Sequence, residues 1–519
     1  MPDERRAEPV TEAPEAVSTA PPPGYSSCGQ KGPVVVRTEL DHAVDAALRE
    51  LGGAEVGVSL LARGREAFGL RVAAARAVGR SLDLQYYAWH GDLTGQLLAR
   101  EALLAADRGV RVRMLLDDAF ALGTERVLAA LDEHPSIEVR LFNGTRWRAF
   151  GRLGFALELL LGSWRLNRRM HNKAWIADGC LAIVGGRNLG NEYFDAAEDF
   201  NFRDLDLVIA GRAADAATAA FERYWRSPLA RGAGELSAAR DARGGLSALR
   251  RELEVTAAEP AAQVLSADPL DSRDLHGCLR VRLVPVAAEA VRVVADPPEK
   301  ARRGIGARRR ARTAGGLAPE VARVLRSARR EVLLISPYFV PGAVGLSLLV
   351  DLARRGVAVS VITNSLAATD VVAVHGGYAH YRRPLLEAGI ELFELKRSGD
   401  EPTSVFGSRG ASLHTKAFVV DDGPICVGSF NLDPRSARLN TEMAVFAEHP
   451  VLAQALRREH ARLAAPVRSW RVSLESGRLR WTDLDAQGRH RVVWSEPGAS
   501  LRRRALAALT GLLPIESQL

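Results

Sequence analysis

Apolar positions along this chain alternate between short strand-length runs and longer runs spaced at three to four residues. Ser81 to Tyr87 reads as a strand, 95–106 carries helical spacing, and Val110 to Leu116 follows Gly109 as a second strand. Two strands around a helix make a βαβ unit, which implies parallel pairing. A helix ending near Glu133 and a third strand, Ile137 to Phe142, follow. Ahead of this unit an amphipathic helix is expected over 39–51. Another lies within 59–79, with Phe68, Leu70, Val72 and Ala75 on its buried face.

The second half repeats this order: a strand over 331–336, a helix over 346–354, a turn at Gly356, a strand over 357–363 and a strand over 390–395. Several elements recurring in one order point to a duplicated α/β unit. The uncharged run from Val332 to Val350 has the length of a membrane span, but Pro337, Pro341, Gly342 and Gly345 interrupt it. It therefore reads as a buried strand, a loop and a helix start. Between the halves, 213–225 is a helix and 231–262 is a flexible or helical connector. After Pro466 three short alternating segments predict a small β-meander. A basic amphipathic helix over 501–513 closes the chain, suited either to a membrane surface or to capping a domain.

These patterns divide the chain into a disordered tail over 1–38, a first half over 39–230, a connector with a basic loop over 231–315, a second half over 316–465 and a C-terminal meander with its helix over 466–519. The tail is rich in Pro, Glu, Ala and Thr and lacks the apolar core of a signal peptide.

Charge narrows the partners. At 519 residues with a net charge of +8, the chain is basic and soluble in character, which favours polyanions such as nucleic acid or a phosphate-rich membrane surface. Seven lysines and arginines cluster between Lys300 and Arg312, either as a solvated loop or as a contact for phosphate headgroups. Leu153 to Leu161, followed by Arg165, Arg168 and Arg169, is a candidate lipid contact or a plain buried helix. Cys28, Cys180, Cys278 and Cys426 are scattered without a metal-binding or disulfide pattern, which fits a reducing compartment.

One motif occurs twice. His171, Lys173 and Asp178 return 243 positions later as His414, Lys416 and Asp421, and each copy delivers an asparagine, Asn188 or Asn431, 17 residues after its histidine. On a strand, His and Lys two apart share one face. Asp178-Gly179 and Asp421-Asp422-Gly423 are hairpin turns, so each return strand carries its Asn back to that face. Two such clusters facing each other would hold a phosphodiester: lysines and amides take the non-bridging oxygens, one imidazole attacks phosphorus and the other moves the proton. Asp204 and Glu442, at similar distances downstream, are the candidates to orient the histidines, with Asp206 a competing choice. The turn position of Asp178 and Asp421 gives them a strut's place. No carboxylate cluster with metal-ligand spacing accompanies the motifs, so neither metal nor cofactor is expected.

The doubled pattern resembles that of the phospholipase D superfamily. Arg169 to Lys173, Gly185 to Tyr193, Ile335 to Pro341 and Thr363 to Asp370 are similar to the bacterial cardiolipin synthase branch that lacks N-terminal transmembrane helices. The resemblance implies an α/β fold of two pseudo-twofold-related α/β/α sandwich halves with mixed sheets, plus the C-terminal meander and helix. It implies a catalytic set of His171, Lys173, Asp178, His414, Lys416 and Asp421, with His171 as nucleophile and Asn188 and Asn431 on phosphate. The implied reaction is phosphatidyl transfer through a phosphohistidine to the hydroxyl of phosphatidylglycerol, with phosphatidylethanolamine as another candidate donor. The implied place is cytoplasmic, peripheral to the inner face of the cell membrane, with no protein partner named. Asn191, where relatives often carry Asp, is a candidate for headgroup selection. The rival activity is a hydrolytic phospholipase D or another phosphodiesterase, including a nuclease. Two fused halves without a recognisable nucleic-acid module weigh against nucleic acid.

Overall fold

The computed structural model describes residues 36–119, 124–145, 153, 157, 167–236, 245–266, 275–302, 315–397, 410–484, 488–513 and 515–519. Most of the expected tail, residues 303–312 of the basic cluster, and Arg165 with most of 153–161 lie outside them; Leu153 and Leu157 are exposed.

The strands are β1 Val56–Leu61, β2 Ser81–Tyr86, β3 Arg111–Asp117, β4 Ile137–Phe142, β5 Ala174–Ala177, β6 Leu181–Gly185, β7 Asn201–Arg203, β8 Asp206–Gly211, β9 Ala230–Gly232 and β10 Val284–Pro285. They continue as β11 Val291–Ala295, β12 Glu331–Ile335, β13 Ala358–Asn364, β14 Glu391–Leu395, β15 Ala411–Leu413, β16 Ala417–Val420, β17 Pro424–Gly428, β18 Met443–Glu448, β19 Ser469–Glu475, β20 Arg478–Leu484 and β21 His490–Val493. Among the described residues two large sheets form, in the orders β10-β1-β8-β6-β5-β2-β3-β4-β9 and β11-β18-β17-β16-β12-β13-β14-β19-β20-β21. The run β1-β8-β6-β5-β2-β3-β4 corresponds strand for strand to β11-β18-β17-β16-β12-β13-β14, so the duplication extends across the whole sheet.

Each sheet is mixed because of its connections. β2, β3 and β4 pair in parallel, as do β12, β13 and β14, since helices cross between them. The hairpins β5–β6 and β16–β17 need only a tight turn and pair antiparallel. Helix Leu317–Arg326 shows how sequence spacing sets the packing: Leu317, Val321, Val324 and Leu325 recur on one stripe and are buried.

The inner faces of both sheets bury into a single core. Val58, Ile176, Val184 and Ile209 of the first half pack in one cluster with Val419, Ile425, Val427 and Val445 of the second. Helices Ala214–Trp225 and Pro450–Ala464 contribute Phe221, Trp225, Leu452 and Leu456 to that cluster. Burying these inner faces against each other stabilises a fixed relation between the halves.

Two expectations are corrected and one strand is added. The segment 231–315 is divided between the halves: Leu249, Leu253, Leu275 and Leu279 pack into the first half's core, while β11 begins the second sheet. The C-terminal meander is not a separate unit, because β19 pairs with β14 and extends the second sheet, and Trp470 and Trp481 join its core. Strand β1, Val56–Leu61, which the sequence reading did not single out, pairs with β8 at the position that β11 takes beside β18.

Candidate active site

His171 and Lys173 stand in an extended segment just before β5, and His414 and Lys416 just before β16; neither pair lies within its strand, as the alternation had implied. The segments are held by the opposite half. Backbone N–H of His171 donates to Thr441 O (2.8 Å) and that of Thr441 to Arg169 O (2.9 Å). On the other side β15 pairs in parallel with β7, and N–H of His414 donates to Arg203 O (2.8 Å). Each histidine is thus positioned by the residue that directly precedes the orienting carboxylate of the other half, Thr441 before Glu442 and Arg203 before Asp204.

The consequence is a reciprocal exchange. Nδ1 of His171 lies 2.8 Å from Oε2 of Glu442, and Nδ1 of His414 lies 2.5 Å from Oδ2 of Asp204. Both carboxylates are buried. Neither histidine Nε2 has a hydrogen-bond partner among the described residues, and the side chains are 10% and 8% exposed. A carboxylate on Nδ1 fixes the tautomer that leaves Nε2 free for chemistry. Asp206, the competing choice, is excluded from this role: it pairs with the buried guanidinium groups of Arg71 (2.9 Å) and Arg187 (3.2 Å).

The two sides are not identical. Ser429 donates its hydroxyl to Glu442 Oε2, and its carbonyl lies 3.2 Å from His171 Nδ1. The equivalent Gly186 has no side chain, and a Cβ there would meet Asp204 Oδ1 at 2.2 Å. Burial alone would raise the Glu442 carboxyl, yet His171, Lys173 and the Ser429 hydroxyl hold it below its ordinary range. Burial raises Asp204 above its ordinary range, against the pull of Lys416 and Arg187. The His171 and His414 imidazoles are both pushed down, first by burial; Glu442 opposes this at His171, whereas Lys416 and Lys173 reinforce it at His414.

Lys173 and Lys416 each donate to the carbonyl of their own histidine, and Lys173 Nζ lies 5.2 Å over the Tyr87 ring. Burial pushes both ammonium groups down, Lys416 to about 8. Two buried ammonium groups acting on both imidazoles make a site that favours an incoming anion. Asn188 accepts from Ala88 N–H (3.2 Å) and donates to the Tyr193 hydroxyl (2.9 Å), whereas the buried Oδ1 of Asn431 has no partner among the described residues.

Asp178 and Asp421 correct the catalytic set. Both sit at positive φ, 52° and 48°, in the hairpin turns. Asp178 accepts from the backbone N–H groups of Gly79, Arg80 and Ser81 and from the Thr38 hydroxyl; Asp421 accepts from those of Arg329, Arg330 and Glu331. They pin each hairpin to the start of β2 or β12, at the end opposite the histidines. Asn191 accepts from Thr94 N–H and so ties its loop to helix Leu93–Asp107, and Lys300 pairs with Asp296 (2.6 Å).

Sequence reasoning gave no role to the rings that wall the histidines. Tyr87 stands edge-on to His171 at 5.0 Å; Tyr193 and Phe202 lie 5.3 and 4.8 Å from His414. The Tyr338 hydroxyl donates to Asp370 (2.6 Å), whose charge opposes the lowering at His414 and Lys416. Tyr193, Tyr338 and Asp370 all fall in segments that carried the family resemblance, which was the available signal.

Comparison with known proteins identifies the family. The family model described as cardiolipin synthase, PLD-like domain, matches residues 72–225 and 321–464, one span per half. Cardiolipin synthase C of Escherichia coli (strain K12) is 36% identical over 468 residues, covering 89% of this chain and 96% of that protein. A cardiolipin synthase of Listeria welshimeri is 24% identical over 419 residues, 80% of this chain and 70% of that protein. The crystal structure of phosphatidylserine synthase from Haemophilus influenzae Rd KW20 superposes with a TM-score of 0.54 at 14% identity, covering 92% of this chain and all of that one.

Proposed function

The chain belongs to the cardiolipin synthase family of phospholipase D-like enzymes, and we propose that it transfers a phosphatidyl group through a covalent phosphohistidine to the hydroxyl of phosphatidylglycerol. The observation that carries this reading is the reciprocal pairing of His171 with Glu442 and of His414 with Asp204.

In the first step Nε2 of His171 attacks the donor phosphorus; a P–N bond forms and the P–O bond to the leaving alcohol breaks. Nε2–H of His414 gives its proton to the departing alkoxide, which leaves as glycerol from phosphatidylglycerol or as ethanolamine from phosphatidylethanolamine. In the second step His414 takes the proton of an acceptor hydroxyl, whose oxygen attacks phosphorus and breaks the P–N bond. Glu442, held anionic by Ser429 and Lys173, supports His171 as the group that becomes cationic on attack. The bound phosphate anion offsets Lys173 and Lys416 and raises His414 towards the protonated form that an acid requires. Asn188 and Asn431 complete the cradle for the non-bridging oxygens. The enzyme acts at the membrane surface on the cytoplasmic side.

The test is to incubate purified protein with phosphatidylglycerol, alone and with phosphatidylethanolamine, and to resolve the products. Cardiolipin with stoichiometric glycerol or ethanolamine is expected. Phosphatidic acid as sole product makes the enzyme a hydrolase, and cleavage of DNA with untouched lipid makes it a nuclease.

A further inference from the structure

The C-terminal helix Leu501–Leu512 is turned the opposite way from an ordinary surface helix. Its inward face is made of small residues: Ala507 is its one buried position, and it crosses helix Val372–Ala379 so closely that a Cβ on Gly376 would lie 2.6 Å from Ala507 O and 2.7 Å from Thr510 Oγ1. Polar ties lock this face. Arg503 donates to the carbonyls of Leu366 and Thr369, Arg504 to Glu496 O (2.6 Å), and His380 Nε2 lies 2.9 Å from Gly511 O.

The leucines face away from the protein. Leu501, Leu509 and Leu512 form one stripe at helical spacing and are 81%, 59% and 82% exposed; Leu506 and Leu513, about half exposed, widen it. A single exposed leucine means nothing, but a contiguous outward stripe marks a surface made for a partner. Trp494 of the adjoining meander is half exposed beneath the Arg478 guanidinium. The helix holds Arg502, Arg503 and Arg504 and no acidic residue. Exposed leucines with the exposed Arg502 beside them suit the boundary between lipid headgroups and acyl chains of an anionic bilayer. A second copy fits less well, because an isologous contact would bring Arg502 towards its own counterpart.

The face is joined to the pocket. The carbonyls that hold Arg503 belong to the loop ending at Asp370, which accepts from Tyr338 and acts on His414. We propose that the leucine face of 501–512 seats on an anionic lipid bilayer and so brings the His171–His414 pocket to its substrate. This rests on the lipid reading of that pocket given above.

The test uses the full chain, vesicles of equal parts phosphatidylglycerol and phosphatidylcholine, and vesicles of phosphatidylcholine alone, with flotation reading the bound fraction. The variant Leu509→Ser with Leu512→Ser is compared with the unaltered protein, and thermal unfolding verifies its fold. Turnover of a short-chain, monomeric phosphatidylglycerol reads the pocket separately. The expected result is binding selective for the anionic vesicles, a loss of at least about tenfold in that binding for the variant, and unchanged short-chain turnover. Equal vesicle binding by variant and unaltered protein overturns the proposal. So does a change from dimer to monomer in light scattering without a change in vesicle binding, which makes the face a contact between copies. If the leucine variant loses vesicle binding but neither protein converts any phospholipid, the surface stands and the proposed function fails.

Discussion

Asp204 Oδ2 lies 2.5 Å from Nδ1 of His414, 210 positions further along the chain and in the other half of the molecule. Glu442 and His171 repeat the relation in the opposite sense across 271 positions. Neither half therefore contains a complete, oriented histidine. Replacing Asp204 by Asn is expected to cripple His414, and replacing Glu442 by Gln to cripple His171, each lowering kcat by about two to four orders of magnitude with little change in KM. Steady-state kinetics on phosphatidylglycerol vesicles checks this; a loss confined to KM would assign the carboxylates to substrate binding.

The division of labour between the histidines is open to chemical trapping. His171→Ala should form no phosphoenzyme at all. His414→Ala should still form some from a donor with a good leaving group and then stall, because nothing deprotonates the acceptor. Acid-quenched samples with labelled lipid reveal the covalent adduct. Trapping on the His171→Ala variant instead would reverse the assignment.

Asp178 is a strut by geometry, with three backbone N–H groups and a hydroxyl converging on it. Asp178→Ala should destabilise the fold by roughly 2–4 kcal/mol, since those partly buried donors lose their acceptor. Turnover at a temperature where the variant stays folded should remain within about tenfold of the starting value. Thermal unfolding measured beside kcat separates the two effects, and an intact fold with abolished turnover would return Asp178 to the chemistry.

Gly186 leaves no room for a side chain beside Asp204. Gly186→Ala is expected to displace that carboxylate and cost His414 its orientation, with at least about a hundredfold loss of kcat. Gly52, with nothing within 4 Å of an added Cβ, has space but a φ of 82°. Gly52→Ala should strain its turn and leave kcat unchanged, and the contrast between the two variants is the measurement.

His460 carries a pH prediction. Burial pushes its imidazole down from 6.5 to about 4, against a hydrogen bond that the ring donates to the Ser360 backbone carbonyl, and its buried Nε2 has no partner among the described residues. The folded state keeps this ring neutral while the unfolded chain protonates it near pH 6.5. Its contribution to stability is thus fully present above about pH 6.5 and is lost as pH falls towards 4, by roughly 3 kcal/mol in all. Replacing His460 by Leu should flatten that part of the stability curve in urea unfolding at stepped pH. An unchanged slope would place the acid sensitivity elsewhere.

By itself the sequence determined the local content of this protein. Strand and helix periods located β2 to β4 and β12 to β14, since side chains that share a face must repeat at fixed spacing. The two hairpins, the duplicated cluster of His, Lys and Asn, and the strut position of Asp178 and Asp421 were legible for the same reason: each is set by residues close along the chain. Tertiary structure alone decided which carboxylate serves which histidine. Asp204 and Glu442 are equivalent candidates in sequence, and the choice follows from the shared core, where the packing of two inner sheet faces sets one half's strand ends against the other's motif. It likewise decided that 231–315 is divided between the halves, that the meander continues the second sheet, and that the last helix docks through Ala507 against Gly376. Those outcomes depend on surfaces meeting across hundreds of residues, and no local period encodes such a meeting.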